Sequence, residues 1–380
     1  ENAVLAYAAR SKEEYADARA ALGAILKDPV AFVRARVERQ QQYRTGGAVR
    51  VLAEAANGMC ERNPIHARNL ADAAVAIAGQ IPEASYPPDA VRLLRSLAWK
   101  ERANAMRVLA EYAAALDALD HAEREIVHLG RQTYEFASLA YIRAVVLTYM
   151  DRLHEATVKA AESAEIFAAY GDSRWWARAR SIEAGVLFYR MEFADAARAF
   201  EQLVAFAVDK NDEIEGARQS YNLAACYLEL GDAAHAGPLL FDTRRCYLQH
   251  DMRTEVLRTD WKIGVLSRVG GRFEESIVQF RATRRTAEVL SLPSEVARIT
   301  LDLIESLLVI GQTREVPALC ADVIRYFRRA GQLRQALTAA AFLREAATAG
   351  TIRVATVQHV RRFVQDLERQ PQLIFLPPSH

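Results

Sequence analysis

Apolar residues recur mostly three and four positions apart along this chain, the spacing that places them on one face of an α-helix. Short polar bends separate the helical segments. One bend, in "RVGGRFEESIVQF" (residues 268–280), carries two glycines between two apolar segments. Two interpretations fit this stretch: a glycine-rich loop that binds phosphate at a helix start, or a bend between two packed helices.

The pattern around this bend repeats along the chain. A column of mostly small residues precedes each bend: Ala103, Ala144, Ala184, Ala224, Gly264 and Ile304. A column of mostly bulky residues follows each bend: Leu119, Ala160, Phe200, Leu240, Phe280 and Cys320. Because both columns recur in phase six times, about 40 residues apart, the sequence indicates a repeat architecture.

The chemistry of the two columns fits a helical hairpin. A small residue in the first helix lets the second helix approach closely, and a bulky residue in the second helix then fills the seam. A phosphate-binding loop would also need a preceding strand, and the sequence shows none. We therefore predict that Gly270 and Gly271 end one helix and lead into its partner.

These columns resemble the tetratricopeptide repeat (TPR), as seen in "WKIGVLSRVGGRFEESIVQFRAT" (261–283) and "SYNLAACYLELGDAAHAGPLLFDT" (220–243). The usual TPR unit has about 34 residues, so the longer period here implies longer helices. Similar long units occur in sensor domains of bacterial regulators and in kinesin-light-chain-like arrays. The resemblance implies an all-α fold, a right-handed superhelical solenoid of TPR-like helix–turn–helix repeats whose first helices line a concave groove.

The repeat register divides the chain into three parts. Residues 1–45 are predicted to form an N-terminal helical cap, with helices in "KEEYADARAALGAIL" and "VAFVRARVERQQQY". Residues 46–330 hold the repeat array, with one degenerate and six clear repeats. Residues 331–380 supply two C-terminal capping helices and an apolar tail, "PQLIFLPPSH", which we expect to pack partly on those helices.

Composition excludes several classes of partner. The 49 basic and 48 acidic residues leave a net charge of +1 and form no basic block, which disfavours nucleic acid and anionic membrane. The chain has 4 cysteines without zinc-ligand spacing, which we interpret as reduced thiols in the cytoplasm. We find no catalytic or metal-binding constellation and expect no cofactor.

The candidate ligand-binding residues lie on the first helices. One arginine column reads Arg178, Arg218, Arg258 and Arg298, and the positions one turn further along each helix include Tyr141, Tyr221, Asn222, Trp261 and Lys262. Asp302 and Glu305 continue that face in the next repeat. Guanidinium groups bind carboxylates in a bidentate manner, so an acidic peptide or a chain terminus would suit the arginine column.

A structural role for the arginine column is the alternative. Glu215, Glu255 and Glu295 each precede an arginine of the column by three residues, a spacing that forms ion pairs within a helix. Neighbouring repeats could also share these pairs. The sequence leaves both roles open.

We interpret the chain as a non-enzymatic TPR domain that binds a protein or peptide in its groove. The repeat length, and a first residue that is not methionine, favour the interaction or sensor module of a bacterial regulator, cut from a longer protein. The alternative is a structural scaffold that assembles through its convex face or its ends, without a peptide ligand. The oligomeric state and the partner stay open.

Overall fold

A computed structural model describes residues 2–23, 26, 40–60, 63–109, 111–329, 334–369 and 373–378. These residues form seventeen α-helices and no strand. The chain divides into two units, Glu1–Ala179 and Arg180–His380, with the boundary inside helix α8. The predicted all-α, TPR-like fold class is confirmed.

The helices of unit 1 are α1 (Asn2–Leu22), α2 (Gly46–Met59), α3 (Pro64–Ala78), α4 (Pro88–Val108), α5 (Tyr112–Ile126), α6 (Tyr134–Tyr149), α7 (Leu153–Ala169) and the start of α8 (Ser173–Tyr189). Unit 2 continues with α9 (Phe193–Asp209), α10 (Glu213–Glu229), α11 (Ala233–Gln249), α12 (Arg253–Val269), α13 (Phe273–Val289), α14 (Pro293–Val309), α15 (Val316–Arg329), α16 (Arg334–Thr348) and α17 (Val354–Arg369). In each unit, consecutive helices pack as pairs.

The connections between helices α7 to α14 are nearly identical. Each of these helices has 17 residues, and three residues join each one to the next. The middle residue of every connection has a positive φ: Gly171, Met191, Asn211, Gly231, Asp251, Gly271 and Ser291. The structural period is therefore 20 residues, half the period of the sequence columns. The sequence conceals it because non-glycine residues occupy four of these seven positions.

The bend at Gly270 and Gly271 is a helix C-terminus. Gly271 has a φ of 74°, and its N–H donates to the carbonyl of Arg268 at 3.0 Å. The N–H of Arg272 donates to the carbonyl of Ser267 at 2.8 Å. These two bonds satisfy the last carbonyls of α12, as a left-handed helix cap does. The predicted helix–helix bend is confirmed.

The two sequence columns form the seams between paired helices. Their residues are buried from the first repeat to the last, with at most 3% exposure for any residue that has a side chain. Gly264 is the most tightly packed glycine of unit 2, because an added Cβ would lie 2.6 Å from the Phe280 ring. Glycine at this position is therefore a packing requirement of the α12–α13 pair.

The terminal segments pack on the neighbouring helices of their own units. In unit 1, the Tyr86 hydroxyl donates to Glu14 of α1 at 2.8 Å and accepts from the N–H of Gly46 at 3.0 Å. The second predicted N-terminal helix lies largely outside the described residues. In unit 2, Phe375 of the tail is buried against Phe342 and other aromatic rings of α16 and α17.

Two glycine-to-alanine substitutions test the seam. Gly264→Ala should lower the free energy of unfolding by about 1–3 kcal/mol, because the added methyl overpacks the Phe280 contact. Gly185→Ala in α8 is the matched control, because its added Cβ has no neighbour within 4 Å. This control should raise stability by up to about 1 kcal/mol through helix propensity alone. Urea unfolding measures both, and equal stabilisation by the two changes would contradict a tight seam.

Candidate functional site

In unit 2, α10, α12 and α14 are the first helices of the repeats, and α9, α11 and α13 are second helices. The candidate residues of this unit lie on one side of the first helices. We call this surface the first-helix face and define it by Tyr221, Asn222, Trp261, Lys262, Leu301 and Asp302. These residues lie three or four positions after Arg218, Arg258 and Arg298, so each group shares a helix face with its arginine. The side chains on α10 and α12 are half-buried, which leaves part of each accessible.

The arginines of unit 2 lie close to side chains of neighbouring helices. The Nη2 atom of Arg258 lies 3.6 Å from Glu295 in the next first helix. Arg218 lies near Tyr247, where burial raises the pKa of the phenol and the guanidinium opposes that rise. The Nε atom of Arg218 is buried without a hydrogen-bond partner among the described residues. The column is therefore partly embedded between helices.

In unit 1, an aromatic cluster joins two of the predicted residues. The Tyr141 ring meets the Trp175 ring edge-on, with centroids 5.1 Å apart. The Arg178 guanidinium lies 4.8 Å from the centroid of the Trp175 ring, within the range of a cation–π contact. Trp175 also packs against Phe167 in the unit's core. Trp175 thus holds Tyr141 and Arg178 together.

Two polar groups on α10 and α12 are available to a ligand. Among the described residues, neither the Asn222 amide nor the Lys262 ammonium makes a hydrogen bond or an ion pair with another side chain. An amide can donate to and accept from a peptide backbone, whereas an ammonium only donates. A ligand that bound either group would not have to displace a side-chain contact made within the described residues.

The first-helix face is covered at α14. Asp302 is 4% exposed and Leu301 is fully buried, whereas the equivalent residues Trp261 and Lys262 are half-buried. Nine consecutive residues of α14, from Ile299 to Leu307, are buried. The reason is that α17 lies against α14 and covers the side that α10 and α12 leave accessible.

A network of charged residues joins α12, α14 and α17. Arg361 of α17 donates through Nη1 to Asp302 Oδ1 and to Glu305 Oε2, both at 2.6 Å. Arg268 of α12 contacts the same two oxygens. Trp261 Nε1 donates to the other Asp302 oxygen at 2.7 Å. Two carboxylates and two guanidinium groups thus balance in charge within a buried site.

The balance sets the ionisation of Asp302. Burial by itself raises the pKa of this carboxyl, because a charged group loses solvation. The charges of Arg268 and Arg361 and the hydrogen bond from Trp261 outweigh burial, so the pKa lies below its ordinary value. Asp302 is therefore ionised at neutral pH.

The comparisons with known proteins agree with this architecture. The chain is similar to the solved structure of a Rap protein complexed with Competence and Sporulation Factor, at 13% identity and a TM-score of 0.54 over 85% of this chain and 99% of that one. It is also similar to the Rap conjugation gene regulator of plasmid pLS20 in complex with the Phr* peptide, at 12% identity and a TM-score of 0.52 over 84% and 97% of the two chains. The chain has a TPR-like repeat fold.

A third similar structure is the apo form of the quorum sensor NprR from B. thuringiensis, with 14% identity, a TM-score of 0.50 and coverage of 83% and 98%. No protein-family model and no curated protein sequence matches the chain. At these identities the structural likeness establishes the TPR-like fold alone.

Sequence reasoning missed how α17 takes part in this TPR-like array. Asp302 and Glu305 were placed on the first-helix face, but their partners Arg361 and Gln358 lie more than 50 positions further along the chain. The sequence does contain one sign of this contact. Asp302 and Glu305 are acidic, whereas α10 and α12 carry neutral or basic residues at the equivalent positions.

No helix within the described ranges is long and apolar enough to cross a bilayer. No group of three or more histidine, cysteine, aspartate or glutamate side chains within those ranges is arranged to hold a metal ion.

The ionisation of Asp302 predicts a pH dependence of stability. An unfolded aspartate has a pKa of about 3.9, and the folded value is lower, so the stabilisation is present above that pH and is lost as the pH falls below it. The free energy of unfolding should therefore decrease as the pH falls below about 4, with a smaller decrease in Asp302→Asn.

Urea unfolding across this pH range measures the effect. Asp242→Asn is the matched control, because this aspartate is exposed and forms an ion pair with exposed Arg245. A decrease of the same size in Asp302→Asn and in the wild type would show that the network does not depress the pKa of Asp302.

Proposed function

We propose that this chain is the peptide-binding interaction or sensor module of a bacterial regulatory protein, acts in the cytoplasm without catalysing a reaction, and binds its ligand on the first-helix face. The fold supports the proposal, because similar solved structures are a Rap regulator in complex with the Phr* peptide and the quorum sensor NprR. The observation that carries it is that the Asn222 amide and the Lys262 ammonium have no side-chain partner among the described residues.

Each residue has a distinct part in the proposed complex. The Asn222 amide bonds the ligand backbone, since it can donate to a carbonyl and accept from an N–H. Lys262 binds a carboxylate of the ligand, either a side chain or its C-terminus. Tyr221 and the accessible part of Trp261 supply aromatic contact area, which often dominates binding energy.

The arginine column contributes to the same complex by its charge. Arg258 is more than a third exposed and holds Glu295 only loosely, at 3.6 Å. An acidic ligand would compete with Glu295 for this guanidinium, because Arg–carboxylate contacts at hydrogen-bonding distance are stronger. In unit 1, Arg178 and Tyr141 form a separate candidate surface around Trp175.

Substitutions on α10 and α12 test the ligand site. A library of ten-residue peptides is selected against the wild-type chain, and the dissociation constant of the best peptide is measured by fluorescence anisotropy. Asn222→Ala and Lys262→Ala should each weaken binding about 10-fold or more, because each removes a hydrogen bond to a buried or charged group of the ligand.

The controls carry the same chemical changes on second helices. Gln202→Ala and Lys210→Ala remove an exposed amide and an exposed ammonium from α9 and its C-terminal cap. Both should leave peptide affinity and thermal stability at the wild-type level. Equal effects of the two pairs, or unchanged binding in the α10 and α12 variants, would exclude the first-helix face as the ligand site.

A second candidate function is the scaffold, favoured by exposed apolar side chains on the second helices. Phe241 and Leu248 lie seven positions apart on one face of α11 and are 57% and 51% exposed. Large exposed apolar residues in one place often mark protein interfaces. The scaffold predicts a stable oligomer held through this face.

The molecular mass in solution distinguishes the two candidate functions. Multi-angle light scattering should show a single-chain mass of about 42 kDa at micromolar concentration if peptide binding is the function. The scaffold instead requires a larger assembly that Phe241→Ser reduces to single chains. Leu230→Ser, at the end of a first helix, is the control of similar exposure.

A further inference from the structure

The Asp302–Glu305 pair is built to receive an arginine. Trp261 of α12 donates to one oxygen of Asp302, and Gln358, which lies on α17 with Arg361, donates to one oxygen of Glu305. The two remaining oxygens lie close enough for a single Arg361 nitrogen to reach both at 2.6 Å. Without Arg361, two carboxylates would share the single guanidinium of Arg268, and the site would carry an excess negative charge.

Arg361 lies on the apolar face of helix α17. Val357, Val360 and Val364 are buried, and their spacing places Arg361 on the same helix face. The next residue, Arg362, points away and is exposed. The segment bound at α14 is therefore an amphipathic helix with one arginine in the middle of its apolar stripe.

The location of this helix connects it to the ligand site. Leu301 and Asp302 are equivalent in the repeat to Trp261 and Lys262, which lie on the accessible part of the first-helix face. Helix α17 thus covers on α14 the part of the first-helix face that stays accessible on α10 and α12.

We infer that the Asp302–Glu305 pair is a binding site for the arginine of an amphipathic helix, filled in this structure by Arg361 of the chain's own α17. The site can also accept a helix of the same chemistry from another molecule once α17 is released. Helix α17 then competes with ligand for the end of the first-helix face, a consequence that rests on the proposed function.

The test uses the full chain and a fluorescein-labelled peptide with the sequence of residues 354–369. Arg361→Ala should increase hydrogen exchange of residues 354–369 by about 100-fold or more, because removing one partner of a buried ion network leaves charge uncompensated. This variant should bind the peptide with micromolar affinity, whereas the wild type should not bind it. Arg362→Ala is the matched control and should behave as the wild type.

A second peptide tests the arginine itself. The same peptide carrying Arg361→Ala should bind the Arg361→Ala chain at least 10-fold more weakly, since it lacks the guanidinium. Equal binding of the two peptides, no binding of either, or unchanged exchange of residues 354–369 would overturn the inference. If circular dichroism shows that Arg361→Ala does not fold, Arg361→Gln replaces it, because glutamine removes the positive charge but can still donate a hydrogen bond to a carboxylate.

This experiment is independent of the peptide selection that tests the proposed function. It uses a helix from the chain itself and no variant of α10. Failure here leaves the binding role of Asn222 and Lys262 standing, and failure of those variants leaves the arginine site standing.

Discussion

Close contact between paired helices determines which side of each first helix is buried and which is exposed. At Gly264, no side chain fits between the backbone of α12 and the Phe280 ring of α13. The equivalent positions in the other repeats are also buried. Because one geometry recurs, every first helix turns the same side toward its partner and the same opposite side away from it. The surface available to a ligand is therefore a consequence of the seam.

The closed end of this surface shows what decides whether a position is accessible. Lys262 and Asp302 occupy equivalent places on α12 and α14, but only Asp302 is covered. The difference comes from α17, which contributes an apolar stripe and a neutralising arginine. Burying two carboxylates without such a partner would be unfavourable by several kcal/mol. The acidic pair and Arg361 are thus mutually dependent features of the sequence.

Much of the fold could be predicted from sequence, because the residues that pack between paired helices recur at a regular spacing. The columns through Gly264 and Phe280 identified helix pairs and the bend at Gly271. The 20-residue period of the connections could not be predicted, since Met191 and Ser291 adopt the same left-handed conformation as Gly271 without a glycine signal. The Arg361 contact was also beyond prediction, because it depends on how a non-repeating helix folds back.

For the candidate site residues too, one property could be predicted from the sequence and another could not. Their placement on the first helices follows from helical spacing, whereas their availability depends on neighbours that spacing does not reveal. Arg218 and Arg258 belong to one column, yet one lies beside a buried tyrosine and the other near Glu295. Asn222 and Lys262 carry fewer contacts than the arginines, which makes them the stronger candidates for direct contact with a ligand.

Photocrosslinking shows which helix face a bound peptide contacts. Benzoylphenylalanine replaces Tyr221 on the first-helix face in one protein and Phe241 on the second-helix face in another, so both changes keep an aromatic side chain. With a selected peptide ligand bound, the account predicts a crosslink from position 221 and none from position 241. A crosslink from position 241 alone would contradict it.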